Sequence, residues 1–247
     1  MRINAFLAKL GLGSRRKVEE LVLSGRVKIN GSTITDLSFQ VNEDDTILFD
    51  GKPVGKEEGF DSRPKIIAFN KPAGFLTSHE DKHHENTIFT LLPESFQKYN
   101  YAGRLDLDSR GLILLSIDGN FIQKVTHPKN KIDKEYIISL KQPVSWKKIA
   151  EEFMLGVREG GETLRALSVK PANVVPEKTQ PGFTSYLSIV LKEGKKRQIR
   201  RMCKTKDLVV LDLYRIRIGK LDLRNFHLEE GKYKEVTEGQ VLGNPSS

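Results

Sequence analysis

Two clusters of reactive side chains stand out in this 247-residue chain. The first is GRLDLDSRGLILLSIDG, residues 103–119, where Gly103 and Gly111 bracket a short acidic loop that runs straight into an apolar strand. A carboxylate at such a junction borders a low dielectric and needs a cationic partner to stay ionised. Asp106 and Asp108 are thus candidates for carboxylate chemistry, and the plainer reading is that both shape a turn. The second cluster is KEGKKRQIRRMCKTK, residues 192–206, with eight Lys/Arg against Glu193 alone. If a helix begins at Gln198, Ile199 and Met202 face inward while Arg200 and Arg201 point elsewhere. Such a run is either a solvated basic helix or a surface that tracks phosphates and gains affinity by releasing counterions.

Two other motifs carry less. His79-Glu80-Asp81-Lys82-His83 has the H-E-x-x-H spacing that places two imidazoles on one helical face for zinc. Residues 79–86, HEDKHHEN, hold no apolar side chain, so no helix face there can pack on a core and aim the ligands. A polar surface loop is the better account, and a metal-dependent hydrolase is the discarded rival. Residues 106–111 resemble the start of a calcium loop, but Arg110 at its fifth position and Ile117 at its twelfth break the charge pattern. No phosphate-binding glycine fingerprint is present, so no nucleotide cofactor is expected.

The elements that must carry these clusters fall into two segments. In the first fifty residues, Ile3, Phe6, Leu7 and Leu10 follow amphipathic-helix spacing, ended by Gly11 and Gly13. Ser14 caps a second helix that turns Val18, Leu21 and Val22 inward and stops near Gly25. Val27 and Ile29 alternate as a strand, Asn30-Gly31 forms its hairpin turn, and Leu37, Phe39 and Val41 suggest another strand. An acidic turn at Glu43, Asp44 and Asp45 leads to a closing strand at 46–49. Residues 51–64 read as a linker rich in Gly, Pro and charge. From residue 65 to 247, strand patterns (IIAFN, LILLS, EYIISL, SYLSIVL) mix with helical ones at 146–155 and 198–203, which predicts an α+β domain.

Composition narrows the function classes. The chain has 41 Lys+Arg against 32 Asp+Glu, a formal charge of +9 that favours a polyanionic partner. Within the first segment the charge is uneven. Residues 1–31 hold seven bases against two acids, and residues 32–64 reverse the sign. A single cysteine, Cys203, excludes an intramolecular disulfide and a CxxC site. No apolar run is long enough to span a bilayer, and the first residues do not read as a signal peptide, so a cytoplasmic protein without a membrane partner is expected.

Taken together, GRLDLDSRGLILLSIDG, NKPAGFLTS upstream of it and KEGKKRQIRRM downstream resemble the RNA pseudouridine synthases of the RsuA-like group. RINAFLAKLGLGSRRKVEELVLSGRVKING resembles an S4-like RNA-binding domain. The resemblance covers nearly the whole chain, with its motifs in the family's order. It implies a small S4-like module at 1–50 and a larger mixed-sheet catalytic domain with a central cleft at 65–247. The implied activity is isomerisation of a uridine in ribosomal RNA, free or in an assembling subunit, by a monomer that needs no metal and no cofactor. A non-catalytic S4-type ribosome-assembly factor is the alternative; it would not need the catalytic residues below together.

The resemblance places the catalytic aspartate at Asp106, the aromatic that stacks on the target base at Tyr136, and the basic partner of the carboxylate at Arg200. Lys71 and Pro72 fall on a motif that is mainly structural. Isomerisation breaks N1–C1′, turns the uracil and joins C5 to C1′, with Asp106 acting either as nucleophile at C1′ or through a glycal route. The uridine must be flipped out to expose C1′, and phosphate contacts must offset the unstacking. The candidates for those contacts are Arg2, Arg15, Arg16, Arg26 and Lys28 in the first segment. In the second they are Arg104, Lys195, Lys196, Arg197 and Arg201. Two residues depart from the family pattern nearby. Ser109 retains a hydroxyl where Thr is common, and Arg110 stands where a small or acidic residue is common, with an expected effect on local RNA contacts.

Overall fold

The computed structural model describes residues 1–10, 12–13, 15–42, 44–54, 64–172 and 185–243. Two compact units divide the chain, Met1–Pro64 with Ile117–Gly119, and Lys65–Ser116 with Asn120–Ser247.

In the first unit, α1 (Ile3–Lys9) and α2 (Arg15–Leu23) precede β1 (Val27–Ile29), β2 (Ser32–Thr33), β3 (Ile47–Phe49) and β4 (Lys52–Pro53). The i, i+4 pairs Ile3/Leu7 and Val18/Val22 are fully buried and pack with Val27, Ile29, Val41 and Ile47. Asn30 and Gly31 both take positive φ, +49° and +85°, as a two-residue hairpin turn requires, and the antiparallel sheet runs β2-β1-β3-β4. The strand expected at Leu37–Val41 is absent. Asp36 instead accepts the Ser38 amide and hydroxyl to make a side-chain turn, and the segment joins the chain start by one bridge, Arg2 to Gln40. β4 pairs with β3, so the sheet reaches into the stretch read as a linker. Gly11, Ser14, Glu43 and 55–63, to which helix stop, cap, acidic turn and linker were ascribed, lie outside the described residues.

The second unit contains β5 (Ile66–Lys71), β6 (Asn100–Tyr101), β7 (Arg110–Ser116), α3 (Gly119–Thr126), β8 (Lys134–Leu140) and α4 (Trp146–Leu155). It continues with β9 (Val157–Glu159), β10 (Glu162–Leu164), β11 (Ser168–Pro171), β12 (Ser185–Leu191), α5 (Gln198–Lys204) and β13 (Val210–Ile218). β14 (Leu221–Asp222), α6 (Leu223–Phe226), β15 (Tyr233–Glu235) and α7 (Glu238–Leu242) complete it. One mixed sheet runs β11-β12-β8-β13-β7-β5-β15, with β6 and β14 paired to β7 and β13. Every residue of β5, β7 and β8 is buried, so both faces of the sheet are covered at its centre, as the unbroken apolar run LILL requires. Leu112 and Leu114 pack on one face with Phe121 and Val125 of α3.

The parallel joint between β7 and β13 organises the site. Gly111 pairs there with Arg215. Across the neighbouring strands Gly111 also pairs with Lys71 and Arg215 with Tyr136. Directly opposed residues share a face, so Lys71, Arg215 and Tyr136 form one row across the sheet.

Candidate active site

The acidic loop between β6 and β7 rises from this row and is held almost wholly through its backbone. Lys71 is fully buried, and its Nζ donates to Ser109 O at 2.6 Å and Pro72 O at 2.9 Å. Thr77 donates its hydroxyl to Leu105 O at 3.0 Å and accepts the Leu105 amide at 3.2 Å. The Gly74 amide donates to Leu107 O at 2.8 Å. Arg215, also fully buried, donates Nε to Leu112 O at 2.7 Å and Nη1 to Arg104 O at 3.5 Å. The Ser109 amide closes a turn on Asp106 O at 3.1 Å. These contacts fix the loop while leaving both carboxylates free for ionic partners.

Those partners come from the start of α5. Arg197 takes the left-handed conformation, φ +49°, as the residue before the helix. It bridges the two carboxylates, with Nη1 3.4 Å from Asp106 Oδ2 and Nη1 and Nη2 donating to Asp108 at 3.2 and 3.1 Å. A non-glycine residue at positive φ costs energy and is often found at functional sites. Arg200 lies deeper, its side chain 13% exposed, donating to Val210 O and Asp108 O at 3.0 Å each and pairing with Asp108 Oδ2 at 3.2 Å. The partner of Asp106 is therefore Arg197, and Arg200 braces Asp108, a correction to the sequence expectation. The left-handed turn swings residue 197 over the loop, while one helical turn on residue 200 is anchored below it.

The two aspartates are consequently not equivalent. Burial works against the Asp108 carboxylate, but the hydrogen bond from Arg197 and the charges of Arg200 and Arg197 outweigh it and hold its pKa below the usual carboxylate range. Asp106 meets one guanidinium edge, and its side chain is 39% exposed. Tyr136 is nearly buried beside Arg215 in the row beneath. Burial lowers the Arg200 guanidinium from its ordinary value, with Asp108 opposing the shift.

Burial also pushes the Lys71 ammonium down to about 8, although Asp108 and Asp106 pull it up. The sign of the resulting pH dependence follows from linkage. An unfolded lysine titrates near 10.4, so between about pH 8 and 10.4 the unfolded chain binds the extra proton and stability rises with pH. Lys134, pushed down to about 8 by burial and the Arg215 charge, contributes in the same sense. Urea unfolding between pH 7 and 10 is expected to show this rise, and Lys71→Met to remove roughly half of it. A Lys71→Met slope equal to that of the wild type would contradict a buried, charged Lys71.

Other expected site residues distribute differently. Arg110 is buried. It lies on the opposite face of β7 from Gly111, held by Asp212 at 2.8 Å and Glu230 at 3.2 Å over the Tyr214 ring. Arg201 pairs with Glu159 and Glu162, and Arg26 with Asp50 over the Phe49 ring. Lys195 reaches Thr163 O at 3.0 Å and lies near Glu162 and Glu193. Arg2, Arg16, Lys28, Arg104 and Lys196 are exposed, with no carboxylate partner among the described residues. The side chain of Arg15 lies outside the described residues. His79 stacks on Phe89 at 4.0 Å and bonds Tyr99 O, in a segment that is not helical.

Sequence reasoning did not bring together Lys131, Arg165 and Lys192, which line one open surface depression with Glu193. Lys192 belongs to the basic run 192–206, but Lys131 and Arg165 come from two other segments, so no single run marked the three together. It also missed Arg215, whose signal was an arginine interrupting the inward face of an apolar strand.

The chain is similar to known proteins along nearly its whole length. Residues 65–205 match the family model for RNA pseudouridylate synthase, and residues 1–47 that of the S4 domain. The chain belongs to the RNA pseudouridylate synthase family. It is 33% identical to the ribosomal large subunit pseudouridine synthase B of Bacillus subtilis (strain 168), across 97% of this chain and 93% of that one. Identity to the ribosomal small subunit pseudouridine synthase A of Escherichia coli (strain K12) is 31%, across 98% of both. A Pseudomonas aeruginosa relative, a ribosomal large subunit pseudouridine synthase B, is 31% identical, and the chain spans 60% of its length. A crystal structure of a pseudouridylate synthase superposes with a TM-score of 0.64 at 27% identity, covering 98% of each chain. Of the described residues, no helix is long and apolar enough to cross a membrane.

Proposed function

We propose that this pseudouridine synthase isomerises a uridine of ribosomal RNA, with Asp106 as the catalytic carboxylate acting on a flipped-out nucleotide. The observation that carries the reading is the asymmetry of the two aspartates: Asp108 pairs with two arginines, whereas Asp106 pairs with one, at 3.4 Å, and keeps an accessible carboxylate. A carboxylate so placed can meet C1′ as N1–C1′ breaks. C5 then bonds to C1′ as the carboxylate leaves it with its electron pair, and the C5 proton is lost to solvent while N1 gains one, so no atom or electron is left over. Tyr136 is the aromatic that receives the uracil, and Arg197 pairs with Asp106 and holds its aim. The curated relatives include enzymes named for the large and for the small ribosomal subunit, which supports ribosomal RNA as the substrate class. The cytoplasm is the compartment this substrate implies.

A pseudouridine map of both ribosomal RNAs, with and without the gene, tests the proposal. Loss of one site is expected; an unchanged map would exclude ribosomal RNA.

The S4 domain is assigned a share of the phosphate contacts through Arg2, Arg16 and Lys28. Each cation that no longer meets a phosphate should lower the slope of log K against log salt by roughly 0.7 to 0.9. The double variant Arg16→Gln, Lys28→Gln is expected to bind ribosomal RNA more weakly at low salt and with a slope shallower by about 1.5. Anisotropy titrations at several salt concentrations measure this, and an unaltered slope would remove these residues from the interface.

A further inference from the structure

Arg215 is a buried cation that packing does not require. Its side chain lies in the middle of the sheet, and among the described residues it makes no ion pair. Its Nη2 is buried with no hydrogen-bond partner. Two further cations neighbour it closely enough to be affected by its charge, Lys71 and Lys134. Such a placement costs stability through desolvation, a missing hydrogen bond and like-charge repulsion. A methionine would fill the same space without any of these costs.

What the guanidinium does is span the acidic loop. Nε holds Leu112 O, just inside β7, and Nη1 holds Arg104 O, at the loop's beginning. Asp106 and Asp108 lie between those two anchors. Lys71, in the same row of the sheet, holds Ser109 O from the other side of Gly111. The planar fork of an arginine can grip two carbonyls in fixed geometry, which an ammonium on a flexible stem cannot.

We propose that Arg215 is a positioning residue for the isomerisation: it ties both ends of the catalytic loop to the sheet and thereby sets the aim of Asp106. The inference rests on Asp106 being the catalytic carboxylate, as proposed above. Small displacements of a reacting group cost large factors in rate, so loosening the loop should act on kcat far more than on KM.

The test compares Arg215→Lys and Arg215→Met with Arg217→Met. Arg217 lies on the same strand, in an ion pair with Glu135 and away from the loop. Tritium release from unmodified ribosomal RNA transcripts labelled at uridine C5 gives kcat and KM. Amide hydrogen exchange reads the loop at 104–112 without reference to activity.

Arg215→Lys should lose roughly 10- to 100-fold in kcat with KM within about threefold, Arg215→Met more, and both should exchange loop amides faster. Arg217→Met should lose stability but keep kcat within about twofold in the folded range. A folded Arg215→Lys with wild-type kcat would overturn the proposal. So would unchanged loop exchange, or an Arg217→Met that loses as much kcat. If Arg215→Met does not fold, the lysine variant decides. If the wild type releases no tritium from any transcript, the functional reading fails, and loop exchange still decides whether Arg215 tethers the loop.

Discussion

Asp106→Asn is expected to abolish pseudouridine formation while leaving RNA binding within about threefold of wild type. The loop that carries Asp106 is held by Lys71, Thr77, Gly74 and Arg215 through backbone atoms, so none of its anchors is the Asp106 side chain. Asparagine has the same shape and can still accept from Arg197, and its side chain would remain partly exposed as that of Asp106 is. What it lacks is the anionic oxygen proposed to meet the sugar carbon. Removing such a group typically costs a factor of about 10⁴ or more, equivalent to roughly 5.5 kcal/mol of barrier. Asp108→Asn provides the contrast. It should loosen Arg197 and Arg200 and slow turnover by about tenfold, because its role is to hold the arginines. Single-turnover tritium release on ribosomal RNA, beside a binding titration, separates the two. Turnover surviving in Asp106→Asn and vanishing in Asp108→Asn would transfer the catalytic role to Asp108.

Gly111→Ala is expected to be the most destabilising small substitution in the second unit. Gly111 has φ +112°, and a Cβ there would lie 2.2 Å from Arg215 O and 2.7 Å from Arg215 N. Neither atom can retreat, because both belong to the backbone of β13, which is paired on its other side with β8. The clash therefore forces apart the joint between β7 and β13, which is also the base of the catalytic loop. A loss of about 4 kcal/mol or more is expected, a drop in Tm of at least about 8 °C for a domain of this size. Gly103→Ala is the control. Its φ of +83° is also positive, but nothing lies within 4 Å of its added Cβ. It should cost only the conformational penalty, about 1–2 kcal/mol. Thermal unfolding of both variants checks the difference, and equal Tm values would show that close backbone approach is not what Gly111 supplies.

Much of this was legible locally, and the reason is physical. The helices at Ile3 and Val18 and the Asn30-Gly31 turn depend on residues within one or two turns of each other, so periodicity and turn chemistry suffice. The run LILL declares a strand buried on both faces because no polar side chain interrupts it. The polar segment 79–86 has no apolar face and indeed is not helical, although His79 itself packs on Phe89. Leu37–Val41 misled because its alternation is genuine while Asp36, one residue before it, diverts the backbone into a turn.

The partner assignments were decided elsewhere. Arg197 and Arg200 differ by three positions in one basic run, and only the left-handed turn at 197 sends the first over Asp106 and leaves the second beneath Asp108. Arg110 sits beside the acidic loop in sequence, yet strand alternation turns it to the far face, onto Asp212 and Glu230, more than a hundred positions away. Lys71, Gly111, Arg215 and Tyr136 come from four separated stretches and become neighbours through sheet register alone. By itself the sequence determined which residue types were available, the local elements and, by resemblance, the chemistry. Which cation meets which carboxylate, and what anchors the loop, was left to the tertiary structure, because those distances are set by strand pairing between distant segments.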